Sequence, residues 1–180
     1  MTVVTRFYLP DEDATERAGT ALGEAVRALT DSIERDGLVI GLSGDLGAGK
    51  TAWVRATLRE LGVSGPVKSP SFSILEVYVV SRLHFYHFDF YRFKDPSEFS
   101  TAGFREFFGA DAICAIEWPQ NAAGFIPAPD LSIELTARES GRLANLSAST
   151  NLGELCLNRL TAQLSDLTVA ATSPMPIDGA

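Results

Sequence analysis

At 180 residues, 46% of them hydrophobic, the chain has about one domain's length and enough apolar material to bury a core. Its 15 Lys+Arg against 23 Asp+Glu give a formal charge of −8. That is the wrong sign for a protein that grips nucleic acid through phosphates, unless Arg55, Arg59, Arg82, Arg92 and Arg105 gather on one face.

The N-terminus lacks the basic-then-apolar pattern of a signal peptide, and no stretch approaches the roughly 18 to 20 apolar residues of a membrane span. Cys114 and Cys156 lie in apolar surroundings without metal-type spacing, as reduced core thiols do. The expectation is a cytoplasmic protein with no membrane contact: one domain over 1–165 and a loose tail over 166–180.

In chain order, Val3 to Leu9 is rich in β-branched and aromatic residues and predicts a strand ended by Pro10. Asp13 with Glu16 resembles a capping pair, and Ala18, Leu22, Val26, Leu29 and Ile33 recur at near-helical spacing, predicting one helix as far as Asp36-Gly37. The apolar run Gly37 to Ser43 is a buried strand. Gly44-Asp45-Leu46-Gly47-Ala48-Gly49-Lys50-Thr51 then fits G-x-x-x-x-G-K-[ST] at every specified position, and Ala52 to Leu61 is a helix with Val54, Leu58 and Leu61 on one face.

Strand, glycine loop and helix together make an anion cradle. The glycines let successive N–H groups point inward, and the helix adds the positive end of its dipole. Phosphate is its natural occupant. Lys50 reaches the β/γ-phosphates, and the Thr51 hydroxyl is one ligand of a bridging Mg²⁺.

The segment from Val63 to Ser71 is irregular because of its prolines. Phe72 to Val80 and Arg82 to Asp89 predict a tight hairpin about Ser81. Asp95-Pro96-Ser97-Glu98 is a helix start. Ala112 to Glu117 is an apolar strand ending in an acid, followed by Trp118-Pro119. Leu131 to Leu135 alternates and pairs with 142–149 across a turn at Glu139-Ser140-Gly141. A last helix runs from Leu152 to Leu164, capped by Thr150, and 172–180 looks like loose tail.

Mg²⁺ wants a second hard oxygen beside Thr51, and two carboxylates end neighbouring strands, Asp89 and Glu117. Glu117, on the more continuously apolar strand, is assigned to the metal. Asp89 is assigned to orienting the attacking water or supporting the site, with the reverse division left open. His84 and His87, three apart on a strand, face opposite ways and cannot share a metal. His87 shares a face with Asp89, either bonding within the site or serving as a structural histidine. Without Asn-Lys-x-Asp or Asp-x-x-Gly, adenine is expected rather than guanine.

These blocks, with Val67-Lys68-Ser69-Pro70-Ser71-Phe72, Glu76-Val77-Tyr78, His87-Phe88-Asp89-Phe90-Tyr91-Arg92, Gly103-Phe104-Arg105-Glu106 and Ile116-Glu117-Trp118-Pro119, come in an order and spacing that resemble the TsaE (YjeE) ATPases of bacterial tRNA threonylcarbamoyladenosine synthesis. The likeness covers roughly residues 13 to 120 and weakens beyond about 125. It implies an ATPase whose Lys50 and Thr51 hold phosphate and Mg²⁺ while Glu117 and Asp89 complete the metal and water site. Ser69-Pro70-Ser71 corresponds to a switch-type loop, Trp118 lies beside the nucleotide, and Thr15 lies near the base. It also implies TsaB and TsaD as partners. In that complex, ATP hydrolysis resets the machinery that transfers threonylcarbamoyl to adenosine 37 of tRNAs, with tRNA held by the partners. Ser71 stands where Thr is commoner, and Gln120 where Glu is usual.

The expected fold is α/β, a P-loop NTPase-like three-layer fold with a mixed central sheet flanked by helices. The enzymatic alternative is a small-molecule P-loop kinase, which would need an acceptor pocket and an arginine-bearing lid. A third reading is a nucleotide-dependent binding module that hydrolyses negligibly alone. Arg92 is the internal arginine-finger candidate, beside one supplied by a partner.

Overall fold

The structure, a computed structural model, describes residues 3–169. Seven strands form one mixed sheet in the order β1-β7-β6-β2-β5-β4-β3. They are β1 (Val3–Leu9), β2 (Leu38–Gly44), β3 (Leu75–Val80), β4 (Leu83–Asp89), β5 (Ala112–Glu117), β6 (Leu131–Ala137) and β7 (Arg142–Ala148). The centre is parallel, with β2 paired to β5 and β6, and β5 to β4. Hairpins close both sides, β3 against β4 and β6 against β7, and β1 pairs antiparallel with β7. The α/β architecture expected for a P-loop protein is thus observed.

Among the described residues five α-helices accompany the sheet: α1 (Glu12–Ala28), α2 (Thr30–Asp36), α3 (Lys50–Glu60), α4 (Glu98–Thr101) and α5 (Asn151–Gln163). Alternate residues of the central strands, Leu38, Ile40 and Leu42 with Ile113 and Ala115, bury one face against α1, α3 and α5. The other face carries Cys114, Ile116 and Phe88 into an aromatic cluster with Phe90, Phe99, Phe104 and Phe108. That second layer comes from irregular chain and the one-turn α4, because Gly103 at φ 75 and Gly109 at φ 153 break any longer helix.

Helix α1 approaches α3 closely through glycine. A Cβ on Gly19 would stand 2.5 Å from the Trp53 carbonyl oxygen and 2.6 Å from Ala56 Cβ. Thr57 Oγ1 on α3 donates to the Gly19 carbonyl at 2.9 Å, so the packing also fixes the relative register of the helices.

Several expected boundaries move. The single helix to Asp36 divides at Leu29, whose N–H reaches both Ala25 and Val26 carbonyls, while Thr30 Oγ1 bonds back to the Arg27 carbonyl at 2.8 Å. The break still lets Leu29 and Ile33 enter the core. The cap is Asp11, accepting from Ala14 N at 2.8 Å, rather than Asp13 with Glu16. The strand expected from Phe72 begins at Leu75, because 70–74 turns with Ile74 at φ 68 and its N–H on the Pro70 carbonyl. Glu98 does bond back, accepting from Asp95 N at 3.0 Å and Lys94 N at 2.7 Å.

The expected tail begins inside packed structure. Ser165–Leu167 forms a 3₁₀ turn, Asp166 pairs with Arg17, and Val169 N donates to the Arg6 carbonyl at 2.9 Å. The rest of the tail, 170–180, lies outside the described residues.

Candidate functional site

The loop after β2 is shaped by glycine where no other residue fits comfortably. Gly44, Gly47 and Gly49 sit at φ 134, 79 and 108. A Cβ on Gly44 would stand 2.2 Å from the Leu135 carbonyl oxygen, and one on Gly49 would stand 2.1 Å from Arg142 Nη1. Helix α3 opens directly on Lys50, so its first N–H groups face the loop.

Lys50 is buried and reaches back into that loop, its Nζ donating at 2.8 Å to the Gly44 and Asp45 carbonyls. The same Nζ lies 4.2 Å from the centre of the Trp118 ring, a cation–π contact. Burial lowers the Lys50 pKa from its ordinary value, while Glu117, Asp89 and Asp45 pull it back up. Trp118 takes the left-handed region, φ 59, just after β5, and its ring packs tilted against Tyr91 with centroids 5.1 Å apart.

The parallel register brings the two carboxylates side by side. Asp89 at the end of β4 stands directly opposite Glu117 at the end of β5, both buried. Glu117 Oε1 accepts from Thr51 Oγ1 at 2.8 Å and lies 2.9 Å from His87 Nε2. Asp89 Oδ1 accepts from Tyr91 N at 2.9 Å, and Asp89 Oδ2 accepts from Ser69 Oγ.

A cavity of about 370 Å³ opens over this group. Of the residues expected at the site, Thr15, Leu46, Gly47, Gly49, Lys50, Thr51, Asp89, Glu117 and Trp118 line it. Asp45 and Ala48 do not. Asp45 is exposed and contributes its carbonyl to Lys50, and the Ala48 carbonyl accepts from Arg142 Nη1 at 3.1 Å.

Arg92 is not brought in. Its guanidinium stacks 4.1 Å above the exposed Phe72 ring, outside the cavity wall. The arginines that do line the cavity are Arg55 and Arg142. Of the five arginines considered for a basic face, Arg55 and Arg59 share a cleft along α3, whereas Arg92 lies over Phe72, Arg82 pairs with Asp31 and Glu34, and Arg105 donates to the Phe125 carbonyl. Arg142 had no local signal in the sequence, because β7 brings it to the loop by pairing rather than by proximity in the chain.

No group of three or more His, Cys, Asp and Glu forms a metal cage among the described residues. His84 is exposed and His87 buried, on opposite faces of β4. The donor set at the loop suits another kind of ion: one hydroxyl, Thr51, beside one carboxylate, Glu117, is the sparse hard-oxygen set with which a protein holds Mg²⁺ that also takes phosphate oxygens and water. Among the described residues no helix is long and apolar enough to cross a membrane.

Comparison with known proteins converges on one family. The family model described as "Threonylcarbamoyl adenosine biosynthesis protein TsaE" matches residues 9–144, from the end of β1 into β7, and so includes Arg142. The tRNA threonylcarbamoyladenosine biosynthesis protein TsaE of Haemophilus influenzae is 37% identical over 147 residues, covering 82% of this chain and 91% of that protein. The protein of the same name from Bacillus subtilis is 33% identical over 139 residues, covering 77% and 87%. The crystal structure of Bacillus subtilis YdiB has the same fold, with a TM-score of 0.67 at 23% identity over 90% of this chain and 97% of that one.

Proposed function

The chain belongs to the TsaE family, and from that premise we propose that it is the ATP-binding and hydrolysing subunit of a tRNA threonylcarbamoyladenosine pathway, with Mg²⁺ as its metal. Its role in that pathway rests on the family. The hydrolytic reading rests on one observation above all: Thr51 Oγ1 and Glu117 Oε1 meet at 2.8 Å at the mouth of a loop that also holds Lys50.

The backbone N–H groups of the loop and the start of α3 bind and orient the phosphates, and Lys50 balances their charge. Thr51 and Glu117 would hold the metal, which when bound would neutralise charge on the phosphates. Asp89, fixed by Tyr91 N and Ser69, orients the attacking water. Arg142 braces the loop through the Ala48 carbonyl and, with Thr15, borders the nucleotide on its other side. Trp118 caps Lys50 and excludes water from its flank.

By this reading the protein works with TsaB and TsaD in the cytoplasm, and tRNA reaches it only through them. The charge of −8 suits a subunit that does not hold the nucleic acid itself. The small-molecule kinase alternative is not favoured, because the matching relatives carry the biosynthesis name. Calorimetric titration with ADP in Mg²⁺ tests the site: saturable binding by the wild type and its loss in Lys50→Ala support the reading. Absence of binding by the wild type refutes it.

A further inference from the structure

Glu117 must keep one orientation while another carboxylate stands directly across the ladder from it. Like charges so placed repel, and a glutamate has several bonds about which to swing away. Two donors hold it, Thr51 Oγ1 and His87 Nε2, both on Oε1. The Thr51 hydroxyl is the group that phosphate and metal would claim, so it cannot serve as the lasting anchor.

His87 can. On β4 it pairs with Ala115, two residues before Glu117 on β5, and so reaches the carboxylate diagonally on the same face. Its side chain is fully buried, and its Nδ1 has no hydrogen-bond partner among the described residues. A buried ring nitrogen without a partner costs stability, and an apolar side chain would fill the same space without that penalty. Among the described residues the His87 side chain makes one hydrogen bond, to Glu117, and Glu117 Oε2 has no hydrogen-bond partner.

Resting on the nucleotide reading above, we propose that His87 is a positioning residue for Glu117. Its Nε2–H fixes Oε1 and leaves Oε2 presented to the cavity, whichever way the Thr51 hydroxyl turns.

The test uses the full chain and three variants, His87→Gln, His87→Asn and His87→Leu. The amide nitrogen of Gln reaches the place of Nε2, whereas that of Asn falls short, near Nδ1. ADP affinity is measured by calorimetry across a series of Mg²⁺ concentrations and again in EDTA. Loss of a group that orients a metal-binding carboxylate should raise the Mg²⁺ needed for half-maximal effect about tenfold or more in Asn and Leu, with Gln recovering to within about threefold. Affinity in EDTA should stay within about twofold of wild type in all of them.

Should Leu fail to fold, the contrast between Gln and Asn decides alone. Equal Mg²⁺ dependence in Gln and Asn overturns the proposal, as does an equal loss of affinity in EDTA, which would make His87 a packing residue only. Wild-type ADP binding that ignores Mg²⁺ would instead bring down the metal reading, and the positioning role with it.

Discussion

Asp89 and Glu117 face each other across the β4–β5 ladder, yet each has its own pair of donors: Ser69 and Tyr91 N for one, Thr51 and His87 for the other. The donors separate what proximity would merge. Glu117 is tied to the hydroxyl that begins α3, while Asp89 is tied to the loop 63–74 and to the chain leaving β4. On the proposed reading the former would hold the metal and the latter would orient the water.

That division predicts different failures. Asp89→Asn keeps the shape and removes the charge, and should lower kcat by about 10²- to 10⁴-fold with ADP affinity nearly unchanged. Glu117→Ala should instead weaken the Mg²⁺ dependence of ADP binding as well as turnover. Calorimetry beside steady-state kinetics separates the two, and the opposite pattern would exchange their roles.

Arg142 meets the loop by a hydrogen bond to the Ala48 carbonyl and lies over Gly49. Removing it frees the loop without touching Lys50 or Thr51. Arg142→Ala should raise the dissociation constant for ADP about tenfold, the scale of one lost charge-assisted hydrogen bond, with a smaller change in kcat. An unchanged constant would reduce Arg142 to a surface contact.

Much of this site was legible in the chain because its parts are local. The spelling from Gly44 to Thr51 demanded strand, loop and helix, and two apolar runs ending in Asp89 and Glu117 predicted carboxylates at strand ends. What was not legible depends on pairing between distant segments. Arg142 comes to the loop through β7, and the His87–Glu117 contact through the β4–β5 register. Arg92, the internal arginine-finger candidate, leaves with the chain after β4, and its guanidinium lies over Phe72. The break at Leu29 and the cap at Asp11 turn on local hydrogen bonds that hydrophobic spacing does not encode.

Gly19 tests the helix packing that carries Thr15 to the cavity. In Gly19→Ala the new methyl meets the Trp53 carbonyl and Ala56 Cβ, neither of which can swing aside. The cost should be about 1–3 kcal/mol, read as a lower urea midpoint at an unchanged slope.

The two buried thiols set a pH dependence. Burial pushes Cys114 and Cys156 from an ordinary 9.0 up to about 12. Above 9 the unfolded chain releases these protons while the folded chain keeps them, so the unfolded state binds fewer protons and stability falls. The contribution is whole below 9 and is lost progressively as pH climbs toward 12. Urea midpoints at about pH 8 and about pH 10.5 should therefore drop further in the wild type than in a Cys114→Ala, Cys156→Ala variant. Equal drops would contradict the assignment.

ATP hydrolysis measured with and without purified TsaB and TsaD, in the wild type and in Glu117→Ala, tests the proposed Mg²⁺-dependent ATPase whose turnover partners complete. Turnover should rise when the pair is added to the wild type and stay at background in the variant. Hydrolysis unaffected both by the partners and by loss of Glu117 would contradict it.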